Sequence, residues 1–529
     1  MNSDYAATEL AEPNLRALLG TAGLDVEYVR GEGNTLFRLG ADGQEIPVLD
    51  FAGGYGSLLF GHSHPEIIAR ARQLLDEGTP VHAQFSSHPY ANRLAAELNR
   101  IVHRETGTTE PYYATFANSG AEAIEAAVKH AELDRVLRLG ELLERIAAGA
   151  ERAREAVADG SAVVPDSLFT RLRTEPPAAG QDRTEAVLAA VAAHNAEPGS
   201  RPPLFLALEG GFHGKLMGSV QLTHNPGYRE PFDALGVRTR FVPEGRADLL
   251  KEIAAEEGAT LLEPVVEDGE IRLAEHRAPV FCAFLLEPIQ GEGGIRPLTQ
   301  EGARAVDEFR AATGCPVVVD EVQSGMGRTG ALLASAALGL RGDYYVLAKS
   351  LGGGIAKASV MLVHESCYRP QFELVHSSTF AKDSFSCHIA LKVLELLEAD
   401  GGSAYRRAAE RGEALKAMLD RVRLAFPTVA AEVRGRGLML GFEFRDQSDS
   451  PDQVLGEAAR TGMIGYVLAG HLLHAHRIRT FPTASAPHTL RFEPSLLLTD
   501  EEIGRLETAL TDVCALVRDR ASDRLVTSS

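Results

Sequence analysis

The sequence predicts an α/β protein with two parts. One is a large domain with a mostly parallel central sheet flanked by helices; the other is a small α+β domain drawn from both termini. Three observations carry this. Short, apolar runs of strand length recur through the middle of the chain (LFLAL at 204–208, FCAFLL at 281–286, VVV at 317–319, YYVLA at 344–348), as strands covered on both faces do. Segments of helical period, such as 89–98 and 391–425, alternate with them. Glycine-spaced alternating text stands near both ends, GNTLFRLGADGQEIPVLDFAGG early and VRGRGLMLGFEF with HTLRFEP late, as antiparallel meanders require. A length of 529 residues exceeds one ordinary domain. We therefore expect residues 1–75 and 396–529 to build the small domain and 76–395 the large one, with 132–203 inserted into it.

Composition narrows the function classes. Hydrophobic content of 45% and charged content of 24% are those of a globular protein. A net charge of −20 disfavours nucleic acid and anionic membrane surfaces as partners, since both demand basic patches. The five cysteines are odd in number and lack CxxC spacing, which favours free thiols in a reducing compartment and no structural zinc. No basic n-region with an apolar h-region opens the chain, and no run reaches the eighteen or so apolar residues of a membrane span. A cytoplasmic location is expected.

The elements follow in order. A short helical pattern (Leu15, Leu18, Leu19) precedes the first meander, whose Asp42-Gly43 is a hairpin turn signal. GHSHPEI leads into a helix from about Pro65. His62 and His64 are read as turn and helix-start residues, because the rest of a metal ligand set is missing. ATFANSGAEA is a strand, a Ser-Gly turn and a helix start. There Ser119, Gly120 and Ala121 offer free backbone N–H groups to an anion, unless Ser119 is a plain N-cap. In the insertion, Val136, Leu139, Leu143, Ile146, Ala150, Ala153 and Val157 trace an amphipathic helix with a narrow apolar seam. A second helical pattern lies around Val187 and Val191. This helical subdomain would roof a site, extend an interface, bind a partner, or simply be a tolerated insertion. VVEDGEIRL marks an extra hairpin between Glu263 and Arg277.

The chemistry concentrates in 316–354. The buried strand VVV ends in Asp320, and the next apolar strand delivers Lys349 into Ser350-Leu351 and three glycines. Polar groups at the carboxyl ends of parallel strands are where open α/β sheets place ligands. A strand-end carboxylate paired with a strand-end amine suits pyridoxal phosphate chemistry: the amine bonds the cofactor's aldehyde, and the carboxylate pairs with its ring nitrogen. Taken singly, each residue reads as an ordinary helix cap or a surface lysine.

Six segments in one order, ANSGAEAIEAAVKHA, EGGFHGK, EPIQGEGG, DEVQSGMGRTG, LAKSLGGG and HSSTF, resemble the class III (ornithine, acetylornithine and 4-aminobutyrate type) aminotransferases of the fold-type I pyridoxal 5′-phosphate enzymes. The resemblance spans about Leu49 to Glu502, interrupted by the insertion. It implies that Ser119, Gly120 and Ala121 hold the 5′-phosphate and that Phe212 and His213 stand at one ring face, with Val322 at the other. It also implies that Gln323 reaches the phenolic oxygen, that Glu287 orders the cofactor's surroundings, and that Ser378 and Thr379 contact the phosphate of the neighbouring subunit in a homodimer. On the substrate side it implies an α-carboxylate anchor at Arg491, gated by Glu292, where the residues alone allow a salt bridge of Arg491 to Glu493 or Glu292. Tyr55, Gln84, Phe85 and Lys215 fall where specificity is set. Lys215 replaces an arginine, a point charge for a bidentate fork, and AKDSFSC after HSSTF departs from the usual text. FHGK and HRIRTFPTASAPHTLRFEPS resemble the putrescine-type and secondary-metabolite branches more than ornithine aminotransferase itself.

The implied reaction is ping-pong transfer of an amino group between a terminal amine/aldehyde pair and an amino acid/2-oxo acid, with Lys349 as proton carrier. The same constellation also serves racemisation, aminomutation or decarboxylation. Outside this chemistry, the inserted helices would suit a non-catalytic scaffold. A nucleotide-binding oxidoreductase is disfavoured, because no GxGxxG follows a first strand.

Overall fold

The computed structural model describes residues 11–82, 86–87 and 89–525. Its centre is a seven-stranded sheet made of β1 (Tyr112–Ala117), β2 (Leu204–Leu208), β3 (Thr239–Val242), β4 (Phe281–Leu286), β5 (Val317–Asp320), β6 (Tyr344–Leu347) and β7 (Ser359–His364). They lie in the order β1-β7-β6-β5-β4-β2-β3. All neighbours run parallel except β7, which is antiparallel to both β6 and β1. Strands β2, β4, β5 and β6 are buried along their whole length, which is why they read as continuous apolar runs. Register aligns Val318 of β5 with Tyr344 of β6 and Leu285 of β4, so these three strands release the chain at one edge.

Two smaller sheets flank this body. Arg30–Glu32, Thr35–Leu39 and Glu45–Asp50 form the expected antiparallel meander, and Ile478–Arg479 adds to it in parallel beside Glu45–Asp50. The chain's two ends therefore share one sheet. The second sheet orders Ala430–Arg436, Met439–Phe444, Ala486–Phe492 and Phe481–Thr483, all antiparallel. A helix follows His64, spanning Pro65–Asp76, and His62 Nε2 lies 2.9 Å from Asp50 Oδ2. No described helix is long and apolar enough to cross a membrane, and Cys282, Cys315, Cys367, Cys387 and Cys514 are free.

The insertion departs from its sequence reading in two ways. It does not begin as a separate helix. The helix α1 that starts at the Ser-Gly turn runs unbroken over Gly120–Ala158, about 58 Å at 1.5 Å per residue. Its first half lays Ala123, Ala127 and Ala131 on the central sheet, where small side chains permit close approach. Its second half buries Ile146, Gly149, Ala153 and Ala156, while Val136 and Leu143 of the expected seam are exposed. Ile146 and Ala153 of the expected seam do lie on this face; apolar periodicity missed Gly149, which is central to it. A Cβ on Gly149 would stand 2.5 Å from the Pro264 carbonyl.

Pro264 belongs to the second departure. The insertion is not helical alone: the hairpin Thr260–Glu267/Glu270–Arg277 completes its core, packing Leu262, Ile271 and Leu273 against Ala153, Leu168, Phe169, Val187 and Val191. Helix α2 (Arg183–Ser200) clamps the hairpin through Asn195. The Asn195 Nδ2–H donates to the Leu262 carbonyl (2.9 Å), and Oδ1 accepts the Leu262 N–H (2.8 Å). Asn195→Ala would strand both backbone groups in a buried setting and should raise local opening of 260–277 by about 2–4 kcal/mol of lost stability. Amide hydrogen exchange across the hairpin reads this directly, and unchanged protection would refute the clamp.

Candidate active site

β5 ends at Asp320, and Lys349 follows β6 by two residues, so the sheet places both at its carboxyl edge. Asp320 is buried. Its Oδ1 accepts the Val322 N–H (3.1 Å), and its Oδ2 pairs with His213 Nδ1 at 2.8 Å. A carboxylate has about four acceptor positions, so two remain for another donor. His213 is fully enclosed. Burial pushes its proton affinity down, but Asp320, through hydrogen bond and charge, and Glu287 outweigh that, leaving it above the ordinary value. Glu287 bridges two loops, its Oε1 accepting the Phe212 N–H and its Oε2 the Gly291 N–H, each at 2.9 Å. Burial raises its pKa, the His213 charge opposes this, and Asp320 adds to it; the net direction is up. Glu287, His213 and Asp320 thus form one buried acid–imidazole–acid group.

Lys349 has φ +48°, a left-handed conformation unusual for a residue with a side chain. Ser350 Oγ donates to the Gly56 carbonyl (2.8 Å), helping to hold the turn. Burial lowers the Lys349 pKa; Glu493, Glu292 and Asp320 pull it up while Arg491 pushes it down further, and the net result lies below the ordinary lysine value. The amine has no hydrogen-bond partner among the described residues. This is the setting in which a lysine becomes a nucleophile.

Beside it, Ser119 caps α1, its Oγ accepting the Glu122 N–H (3.3 Å). Both alternatives for this residue are therefore compatible: it caps, and the first-turn N–H groups of Gly120 and Ala121 still face outward from the helix. A Cβ on Gly120 would lie 2.8 Å from Val322 Cγ1, so glycine lets the helix start close on the loop after β5. Ser378 reaches the same corner, its Oγ accepting from Asn118 Nδ2 (2.9 Å), and Thr379 beside it is exposed. Phe212 is half-buried and meets Tyr228 edge-on, with ring centroids 6.3 Å apart.

Arg491 closes the other side. It is 0% exposed, its Nη2 is 2.5 Å from Glu292 Oε2, and its Nη1 is 3.8 Å from Glu493 Oε2. Both salt bridges that the residues alone allowed are formed. Glu292 also accepts the Ala484 N–H (2.7 Å), and Arg491 lies 4.9 Å over the Tyr55 ring, which stacks on Phe481. Tyr55, at φ +55°, is held there by Asp50, which accepts the N–H groups of Ala52 and Gly53 and pairs with Arg479 (2.9 Å). Gln323 uses its amide on Glu493 Oε1 (2.7 Å). Lys215 is exposed, with Nζ 3.8 Å from the centre of the Tyr228 ring. Gln84 and Phe85 lie outside the described residues.

Sequence reasoning missed Tyr228, Tyr466 and Asp50, and assigned Glu493 only as a possible salt-bridge partner. Burial pushes the pKa of Tyr228 and of Tyr466 up, and the Glu292 charge adds to both. Tyr466 sits in the apolar helix Ile464–His476, where no pattern distinguishes it from core. Glu493 had a signal: it stands two residues from Arg491, just past the end of the same strand.

These groups fit pyridoxal phosphate: the amine of a half-buried lysine, with no hydrogen-bond partner among the described residues, a strand-end carboxylate with free acceptor positions, and a glycine-closed helix start. Comparison with known proteins agrees. The chain is 27% identical over 491 residues to a putrescine aminotransferase of Pectobacterium atrosepticum, covering 92% of this chain and 82% of that protein. It is 29% identical over 468 residues to a diaminobutyrate–2-oxoglutarate aminotransferase of Rhizobium meliloti, covering 87% and 83%. Its fold superposes on an omega transaminase from Pseudomonas jessenii, solved in complex with PMP, with a TM-score of 0.65 at 20% identity, covering 95% and 94%. The model of the family described as aminotransferase class-III matches residues 20–513, and the chain belongs to the class III aminotransferases.

Proposed function

We propose that this pyridoxal 5′-phosphate-dependent aminotransferase moves an amino group between a terminal amine, remote from any carboxylate, and a 2-oxo acid. The observation that carries the reading is Lys349: an amine held below its ordinary pKa at the sheet edge that also presents Asp320. The bound cofactor supplies an electron-withdrawing ring for the electron pair left when a substrate carbon loses its proton. The protein's residues do the rest. Lys349 tethers the cofactor through Nζ, then takes and returns that proton as base and acid. Asp320, backed by His213 and Glu287, keeps a proton on the ring nitrogen. Ser119, Gly120 and Ala121 hold the phosphate, Phe212 and Val322 cover the ring faces, and Gln323 serves its oxygen side.

Substrate choice follows the other wall. Arg491 receives a carboxylate when Glu292 releases it, and Tyr55 and Lys215 border the entry. The names of the two curated relatives support a terminal amine as donor. We place Thr379 at the neighbouring subunit's site in a homodimer, supported by the outward Leu374, 91% exposed, and Phe380 of the same segment. We assign 1–75 with 396–529 to the small domain and 76–395 to the large one, and place the protein in the cytoplasm. Protein loaded with pyridoxal phosphate should absorb near ~420 nm through the lysine-bound cofactor. Selected terminal amines should bleach this band without acceptor, and a 2-oxo acid should restore it. No band after loading, or product formed from the amine with no acceptor, would overturn the reading.

A further inference from the structure

Glu493 is 0% exposed and follows directly on the strand Ala486–Phe492 that carries Arg491. Gln323 Nε2 fixes its Oε1, and Gly56 walls it in, since a Cβ there would lie 3.1 Å from that oxygen. Its Oε2 has no hydrogen-bond partner and faces Arg491 Nη1 at 3.8 Å, while Arg491 Nε and Nη1 are likewise unpartnered. Glu292 holds Nη2, which either two-point grip on a substrate carboxylate would need, and a second buried carboxylate stands beside the donors that remain. The distance is too long for a hydrogen bond but short enough for strong Coulomb coupling.

Glu292 already pairs with Arg491. The neighbouring buried Arg328 satisfies its donors on the carbonyls of Gly56, Leu438 and Pro494, and Glu493 is the acid whose charge acts on it. The two acids also differ in freedom. Glu292 keeps 13% side-chain exposure toward the entry and can turn away when a carboxylate arrives, whereas Glu493 is locked.

We propose that Glu493 is a positioning residue that, through Arg491, holds down the site's affinity for a substrate carboxylate and so favours amino donors with no carboxylate on the reacting carbon. The inference rests on the amine-transfer reading above and deepens it. An incoming carboxylate must share one guanidinium with a fixed anion a few ångströms away, whereas a plain amine asks nothing of Arg491.

The test is titration calorimetry with glutarate, a dicarboxylate that cannot be transaminated, on cofactor-loaded and cofactor-free protein, beside steady-state kinetics. Glu493→Gln keeps the size and removes the charge. It should bind glutarate about tenfold tighter and lower the ratio of kcat/KM for a terminal amine over an α-amino acid by about tenfold. Glu493→Asp keeps the charge and should bind glutarate within about threefold of wild type. A merely structural Glu493 would lower the melting temperature and depress both donors together with glutarate binding unmoved, which overturns the proposal. If Glu493→Gln does not fold, wild type still decides: glutarate binding tighter than about 10 μM would show that Arg491 is not restrained. Weaker binding, with Glu493→Asp alike, would support it. Absence of turnover with every donor would instead sink the amine-transfer reading and leave the glutarate result to judge Glu493.

Discussion

Lys349→Ala is expected to lower kcat by at least about four orders of magnitude while leaving the fold intact. Two functions vanish together, the covalent hold on the cofactor and the proton carrier, and the carrier alone is worth about 10²–10⁴. Among the described residues no other cation is placed to substitute: Lys215 is exposed with its amine over the Tyr228 ring, and the Arg491 guanidinium is engaged by Glu292. The fold should not suffer. The Lys349 amine carries a burial penalty and makes no hydrogen bond among the described residues, so its removal relieves a cost. The melting temperature should therefore hold or rise. Alanine keeps the strained φ of +48°, so the variant isolates the side chain from the turn. Steady-state assays of the cofactor-loaded variant, with a melting curve, check both halves. Activity near wild type would refute the assignment of Lys349.

Some of this site was legible before any coordinates. Asp320 and Lys349 could be found because uniformly apolar strands end at or just before them, and a polar residue at such an end stands out against the run. The α/β architecture was legible for the same reason. What escaped depends on contacts distant in sequence. The resemblance puts His213 at a ring face, but its pairing with Asp320, 107 residues away and 2.8 Å distant, shows only once β5 is in place. The insertion read as helical because its helices carry the periodic signal, yet its core is completed by a hairpin about a hundred residues further on, and the contact face runs through Gly149, which no hydrophobicity pattern marks. Nothing in the first meander marks Asp50, and only the fold shows it holding the loop of Tyr55. Local pattern reveals where a residue is presented; partners across the chain decide what it is presented to.

Asp320→Asn should lower kcat by about a thousandfold, the scale of removing one preorganised electrostatic stabiliser from a closed site. Asparagine keeps the volume and one acceptor oxygen, which can still take the Val322 N–H. It cannot keep the negative charge that would hold a proton on the cofactor's ring nitrogen. Nor can it hold His213 in its present state. In the wild type, burial drives the His213 proton affinity down and the Asp320 carboxylate, aided by Glu287, drives it up past the ordinary value. Without Asp320 the burial contribution gains, so the imidazole should titrate at lower pH and stand neutral where it is now charged. This gives a readout independent of turnover, since nitrogen NMR of the histidines should show one ring shifted downward in the variant. Cofactor binding should survive in part, because the phosphate contacts at α1 are untouched. The sign of the effect separates two roles. If Asp320 only braced the loop, Asn would serve nearly as well, kcat would stay within about tenfold of wild type, and His213 would not move. A thousandfold loss together with the downward His213 shift requires the charge itself, and would mark Asp320 as the group that makes this sheet edge a site for ring-nitrogen chemistry.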